Sequence, residues 1–153
     1  MKICVDHSLL SRTPAGAVTS GIWIRSRSGD FPATSWDDFA ASILAELAGT
    51  LVALTQQGHA QTVYFLEGPF SVTIMSKEDG VLRLMGHENG IHGTVRFDEQ
   101  VAWDDFAQTT EDAAQALLRW CSDREWIGRD EVLLSARVET LSRVRKARLA
   151  SSL

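Results

Sequence analysis

The sequence has little cysteine, little proline and a single tyrosine. Cys4 and Cys121 are too few for a disulfide framework and fit a reducing compartment. Three prolines and 11 glycines are too few for a collagenous or low-complexity chain. No apolar run approaches the roughly 20 residues of a membrane-spanning helix. The opening Met1-Lys2-Ile3-Cys4-Val5-Asp6-His7 lacks a signal-peptide apolar segment and meets an acid at once, so the expected location is cytoplasmic. Positive charge is also scarce: 15 Lys+Arg against 20 Asp+Glu give a net charge of −5. A general nucleic-acid binder would need a basic surface to displace counterions, so that class is not expected. The GxSxG, Walker, GxGxxG, CxxC and HExxH patterns are all absent. No catalytic residue, cofactor or metal-ligand set follows.

What is present suits one globular domain spanning 1–153, with 44% hydrophobic and 23% charged residues. Charge is unevenly placed. Residues 1–118 hold seven basic and fifteen acidic side chains, whereas 119–153 hold eight and five. The run Arg143-Val144-Arg145-Lys146-Ala147-Arg148 carries most of the positive excess. It reads first as a solvated helix end complementing the helix dipole, and second as a docking tail for an acidic partner. A further reading makes this helix an oligomerisation surface.

Residues 2–5 and 21–27 read as strands joined by a Ser/Thr/Pro/Gly-rich loop over 11–20. Apolar residues then recur at helical spacing from Trp36 through Leu54, with Ser35 as cap, Asp37 and Asp38 in the first turn, and Gly58 as terminator. From 62 to 97 the period changes to two. Asn89-Gly90 predicts a two-residue type I′ hairpin placing Glu88 opposite Ile91, His87 opposite His92, Leu84 opposite Val95 and Leu82 opposite Phe97. A three-residue turn at 78–80 sets Ile74 opposite Leu84, because only that register keeps one face apolar. Helical periodicity returns over 103–121 and again from Asp130 or Glu131, with Leu134, Val138 and Leu141 as the last stripe. Strands followed by helices predict an α+β fold: an antiparallel β-sheet of about five to six strands, including a 70–97 meander, packed on one face by two to three helices.

The meander's outer face would gather Arg83, His87, His92 and Arg96, a cationic patch suited to an anionic ligand or an acidic partner segment. A cross-strand His87/His92 pair also suggests a metal-dependent hydrolase as the alternative, although catalytic zinc wants three protein ligands. Trp-Asp-Asp-Phe-Ala occurs at both 36–40 and 103–107, where identical acids and aromatics answer similar needs at two helix starts. Cys121 sits on an apolar stripe as a core thiol.

Two blocks, Phe31-Pro32-x-x-x-Trp36-x-Asp38-Phe39 and Phe65-Leu66-Glu67-Gly68-Pro69-Phe70, resemble a pattern in small uncharacterised bacterial proteins. Leu117-Leu118-x-x-Cys121 and Trp126-x-x-x-Asp130 extend the likeness over roughly residues 30–135. The resemblance implies a compact bacterial domain and carries over no catalytic residue. Similar small acidic α+β proteins often serve as immunity or accessory partners. The expectation is therefore a non-catalytic protein–protein interaction module, its partner another protein or a second copy, with no membrane association.

Overall fold

Residues 1–153 are all described by the computed structural model, in which β-branched and aromatic residues around Ile3–Val5 and Ile22–Ile24 pair at the centre of a first sheet. Strand β1 (Lys2–Arg12) runs antiparallel to β2 (Val18–Ser26), with Cys4 opposite Trp23 and an irregularity between Asp6 and Ser11. Both strands run into the stretch expected to be a loop. The link shrinks to residues 13–17, where the Thr13 amide donates to the Ala17 carbonyl at 2.9 Å and the Gly16 amide to the Thr13 carbonyl at 2.8 Å. Strands β3 (Gly29–Phe31) and β4 (Asp37–Asp38) pair with opposite ends of β2.

The first helix, α1 (Ala40–Gln57), starts later than its apolar periodicity predicts. Trp36, Asp37 and Asp38 are drawn into the sheet: Ser20 faces Asp38, and the Ile22 amide donates to the Trp36 carbonyl at 2.7 Å. Ser35 does not cap. It adopts φ +52° and its hydroxyl donates to Asp6 Oδ2 at 2.7 Å. At the other end Gly58 closes the helix with φ +64°, as expected of a left-handed cap. Ile43, Leu44, Leu47, Leu51 and Leu54 form its buried stripe.

A second antiparallel sheet follows in the order β5 (Gln61–Tyr64), β6 (Phe70–Ser76), β7 (Val81–Glu88), β8 (Thr94–Ala102). The 78–80 turn gives the expected pairing of Ile74 with Leu84. The β7–β8 hairpin does not follow the Asn89-Gly90 expectation. Glu88 faces Thr94, His87 faces Val95, Gly86 faces Phe97 and Leu84 faces Glu99, with a bulge between Gly86 and His87. Asn89 and Gly90 do take positive φ, but within a longer loop over 89–93. Two close approaches select this register. Any Cβ at Gly86 would collide with the Phe97 ring, and any Cβ at Gly93 would collide with the Glu88 carbonyl.

Phe31 joins the two sheets, meeting Phe65, Phe70 and Phe97 edge-on at 5.8, 5.7 and 5.2 Å. Glu99 of β8 adds a polar tie, accepting the Arg27 and Ser28 amides at 2.8 and 3.3 Å. Helices α2 (Trp103–Asp123) and α3 (Arg129–Ser151) complete the chain. The fold is α+β with three helices, its strands divided between two four-stranded antiparallel sheets rather than gathered in one. One continuous apolar cluster takes residues from both sheets and all three helices.

The repeated pentapeptide adopts two conformations. Its second copy opens α2, where buried Trp103 donates Nε1 to the Leu51 carbonyl at 3.1 Å, while the first copy is extended. The basic run at the end of α3 is neither wholly solvated nor wholly free. Arg145 grips buried Glu111 of α2 through two bonds of 2.9 and 3.1 Å, and Arg148 stacks on Trp103 at 4.6 Å. Arg143 and Lys146 remain exposed.

Candidate functional site

Side chains alternate along a strand, so the register fixes which residues share a face. Val63, Val72, Ile74, Leu82, Leu84 and Phe97 point into the core. On the opposite face one row crosses all four strands: Tyr64, Ser71, His87, Val95. Its ends stand out, Tyr64 at 59% and Val95 at 51% exposure. Its middle is sunk, with His87 at 3%, and the His87 ring nitrogens and Ser71 hydroxyl make no hydrogen bond. Leu66 and Ile91, in the loops beyond β5 and β7, are exposed as well.

The four residues expected to form a cationic patch are placed differently. Arg83 and Asp98 share two bonds of 2.8 and 2.6 Å, and Arg96 meets Glu88 at 2.7 Å, so both guanidiniums are already matched by carboxylates. These bonds hold the Asp98 carboxyl below its ordinary range and raise the Arg83 guanidinium. His92 lies in the 89–93 loop, away from the Val95 position that faces His87. The cross-strand histidine pair behind the metal reading therefore does not form, and nowhere do three His, Cys, Asp or Glu side chains gather as a metal would need.

Comparison with protein-family models, curated proteins and solved structures finds no match to this chain.

The sequence blocks 31–39 and 65–70 meet in space as a clamp. Asp38 is 1% exposed. Its carboxylate accepts from Trp36 Nε1 at 3.1 Å, the Phe39 amide at 2.7 Å, and the Leu66 and Glu67 amides at 3.2 Å each. Trp36 lies edge-on to Phe70 at 5.1 Å, and a Cβ at Gly68 would sit 2.9 Å from the Trp36 ring. These residues build the fold and leave the carboxylate no free lone pair for chemistry.

A feature that periodicity did not single out lies between α2 and α3. Leu118 and Cys121 of α2, Trp126 and Ile127 of the connector, and Glu131 and Ala136 of α3 border a cavity of about 620 Å³. Burial pushes the Cys121 thiol up to about 11, and the neighbouring Glu131 charge adds to the effect. That thiol is a packing group and no nucleophile at neutral pH. The one sequence signal for the cavity is the Trp126-Ile127-Gly128 connector ahead of the acidic pair Asp130-Glu131, a pattern that a helix start already explains.

Proposed function

We propose that the protein acts by binding a protein partner, without catalysis, through the outer face of the β5–β8 sheet. The observation that carries this is the cross-strand row with Tyr64 and Val95 exposed at its two ends. Aromatic and aliphatic side chains flanked by ion-paired residues, here Arg83 with Asp98 and Arg96 with Glu88, match the apolar centre and polar rim of protein interfaces. Because both arginines are neutralised in place, the attraction is apolar and aromatic, and the rim charges set orientation. An immunity-like or accessory role in a bacterial cytoplasm is the kind of work such a binding-only domain would do.

A double variant, Tyr64→Ser/Val95→Ser, tests the face, because neither side chain is buried and the fold should persist. Sedimentation over a concentration series reads self-association, and capture from lysate of the source cells followed by reconstitution with the purified partner reads hetero-association. The proposal expects one of these to be present in the wild type and weakened at least about tenfold in the variant, as for loss of an interface anchor. Equal binding by both proteins, or a wild type that stays monomeric and partnerless, overturns it.

A further inference from the structure

Glu131 occupies the third position of α3, and its side chain is only 9% exposed. Both carboxylate oxygens lack a hydrogen bond, and the nearest cation, Arg12, stands at 3.8 Å, inside ion-pair range but beyond hydrogen-bonding reach. A buried acceptor without a donor is normally avoided, since it has lost its water and gained nothing in return. The Arg12 guanidinium lies 5.7 Å over the Trp126 ring, and the absence of a side chain at Gly128 leaves room for it. Asp130, next to Glu131, is already committed to the Val18 amide at 3.0 Å.

Among the side chains that line the cavity beside this carboxylate the charge is all negative, while the Arg12 and Arg124 guanidiniums stand 5.7 Å over the Trp126 ring. Glu125 and Glu139 also line it, both exposed, and no lysine, arginine or histidine does. Its remaining walls are mainly apolar, with Trp126, Leu118 and Val132 among them. Glu131 and Glu139 are eight residues apart on one helix, so their Cα atoms are separated by about 12 Å along its axis. Its volume of about 620 Å³ lies in the range of small-molecule sites.

We propose that this cavity binds a linear alkyl diamine: one ammonium donates to Glu131, the methylene chain lies along Trp126 and Val132, and the second ammonium reaches the outer glutamates. A single terminal amine would satisfy Glu131 but leave the outer carboxylates unmatched. A carboxylate of equal length would meet three like charges. The site lies on the helical side of the molecule and is independent of the sheet-face proposal.

Titration calorimetry with 1,8-diaminooctane, octylamine and octanoate on the full chain tests the assignment. The expected order is diamine strongest, monoamine weaker, octanoate without binding. Glu131→Gln preserves shape and should weaken the diamine at least about tenfold, the usual cost of a lost charge-assisted bond. Ala136→Trp fills the cavity from an exposed helix position and should abolish binding with the melting temperature unchanged, which keeps the test decisive if Glu131→Gln folds poorly. Absence of diamine binding up to millimolar concentration overturns the proposal. So does diamine binding that survives Ala136→Trp, or octanoate binding as strong as the diamine's.

Discussion

Replacing Asp38 by alanine should remove the tie between the end of β4 and the loop after β5. Four donors converge on this carboxylate, three from the backbone and one from an indole. A hydrogen bond to a charged group contributes about 1.5–3 kcal/mol, and the longer bonds, those from Trp36, Leu66 and Glu67, belong at the low end. Leu66 and Glu67 are exposed, so water recovers part of their loss once the carboxylate is gone. The Phe39 amide and the Trp36 indole are less accessible and recover less. The net cost should be about 3–5 kcal/mol, comparable with breaking a buried charged network elsewhere. In a chain of this size that lowers the melting temperature by about 6–20 °C. Asp38→Asn should fall between wild type and alanine. Its oxygen still accepts two donors, but its amide nitrogen confronts the other two whichever way it is turned. Asp37→Ala, one residue away and exposed, should shift stability by no more than about 0.5 kcal/mol. Urea melts give the energies, and hydrogen exchange at the Leu66 and Glu67 amides gives the location. A loss under about 1 kcal/mol in Asp38→Ala, or unchanged protection of those two amides, would refute the clamp.

Three further outcomes follow from the charges and thiols. Arg145→Ala leaves the buried Glu111 carboxylate unpaired and should cost about 3–5 kcal/mol by denaturant melts, whereas Arg143→Ala should be near neutral. Cys121 should resist alkylation in the native protein at pH 8: a thiol at about 11 is only about one-thousandth ionised there, and mass spectrometry should show rapid labelling only after unfolding. Hydrogen bonds from Ser35 and Ser8, from Arg25, and from Arg83 hold the carboxyls of Asp6, Asp30 and Asp98 below their ordinary range. The stability they contribute is present above the ordinary value of about 3.9 and is lost as pH falls through the lowered folded values. Carboxyl NMR titration should show all three midpoints low, and Ser35→Ala should move that of Asp6 alone upward.

Local periodicity was enough for the long elements. The stripe from Ile43 to Leu54, the Gly58 stop, the 78–80 turn and the last stripe of Leu134, Val138 and Leu141 all follow from spacing, because each faces one continuous core. Spacing failed where a distant partner decided the conformation. Trp36, Asp37 and Asp38 carry a good helix start, yet the β2 edge and the 65–67 loop bond them more fully than a first helical turn would. The turn dipeptide Asn89-Gly90 alone does not set the β7–β8 register, which depends on the close backbone approaches at Gly86 inside the strand and Gly93 after the turn. The bulged register sets Val95 opposite His87 and leaves His92 in the loop. Asp98 and Glu88, acidic neighbours on the same hairpin, take up Arg83 and Arg96. The burial of Glu131 leaves no mark in the sequence, because a first-turn acid already has an electrostatic reason to be there.

The outer sheet face carries the chain's only tyrosine. Tyr64 is well exposed, and its phenol makes no hydrogen bond within the chain. Tyrosine-selective chemistry, such as mild nitration or iodination, would therefore mark a single atom group at one known point on that face, with no mutation and no fusion. Nitration also gives the phenol a visible absorption band that responds to its surroundings. The native protein thus comes with a reporter built into the surface where a partner is expected to land.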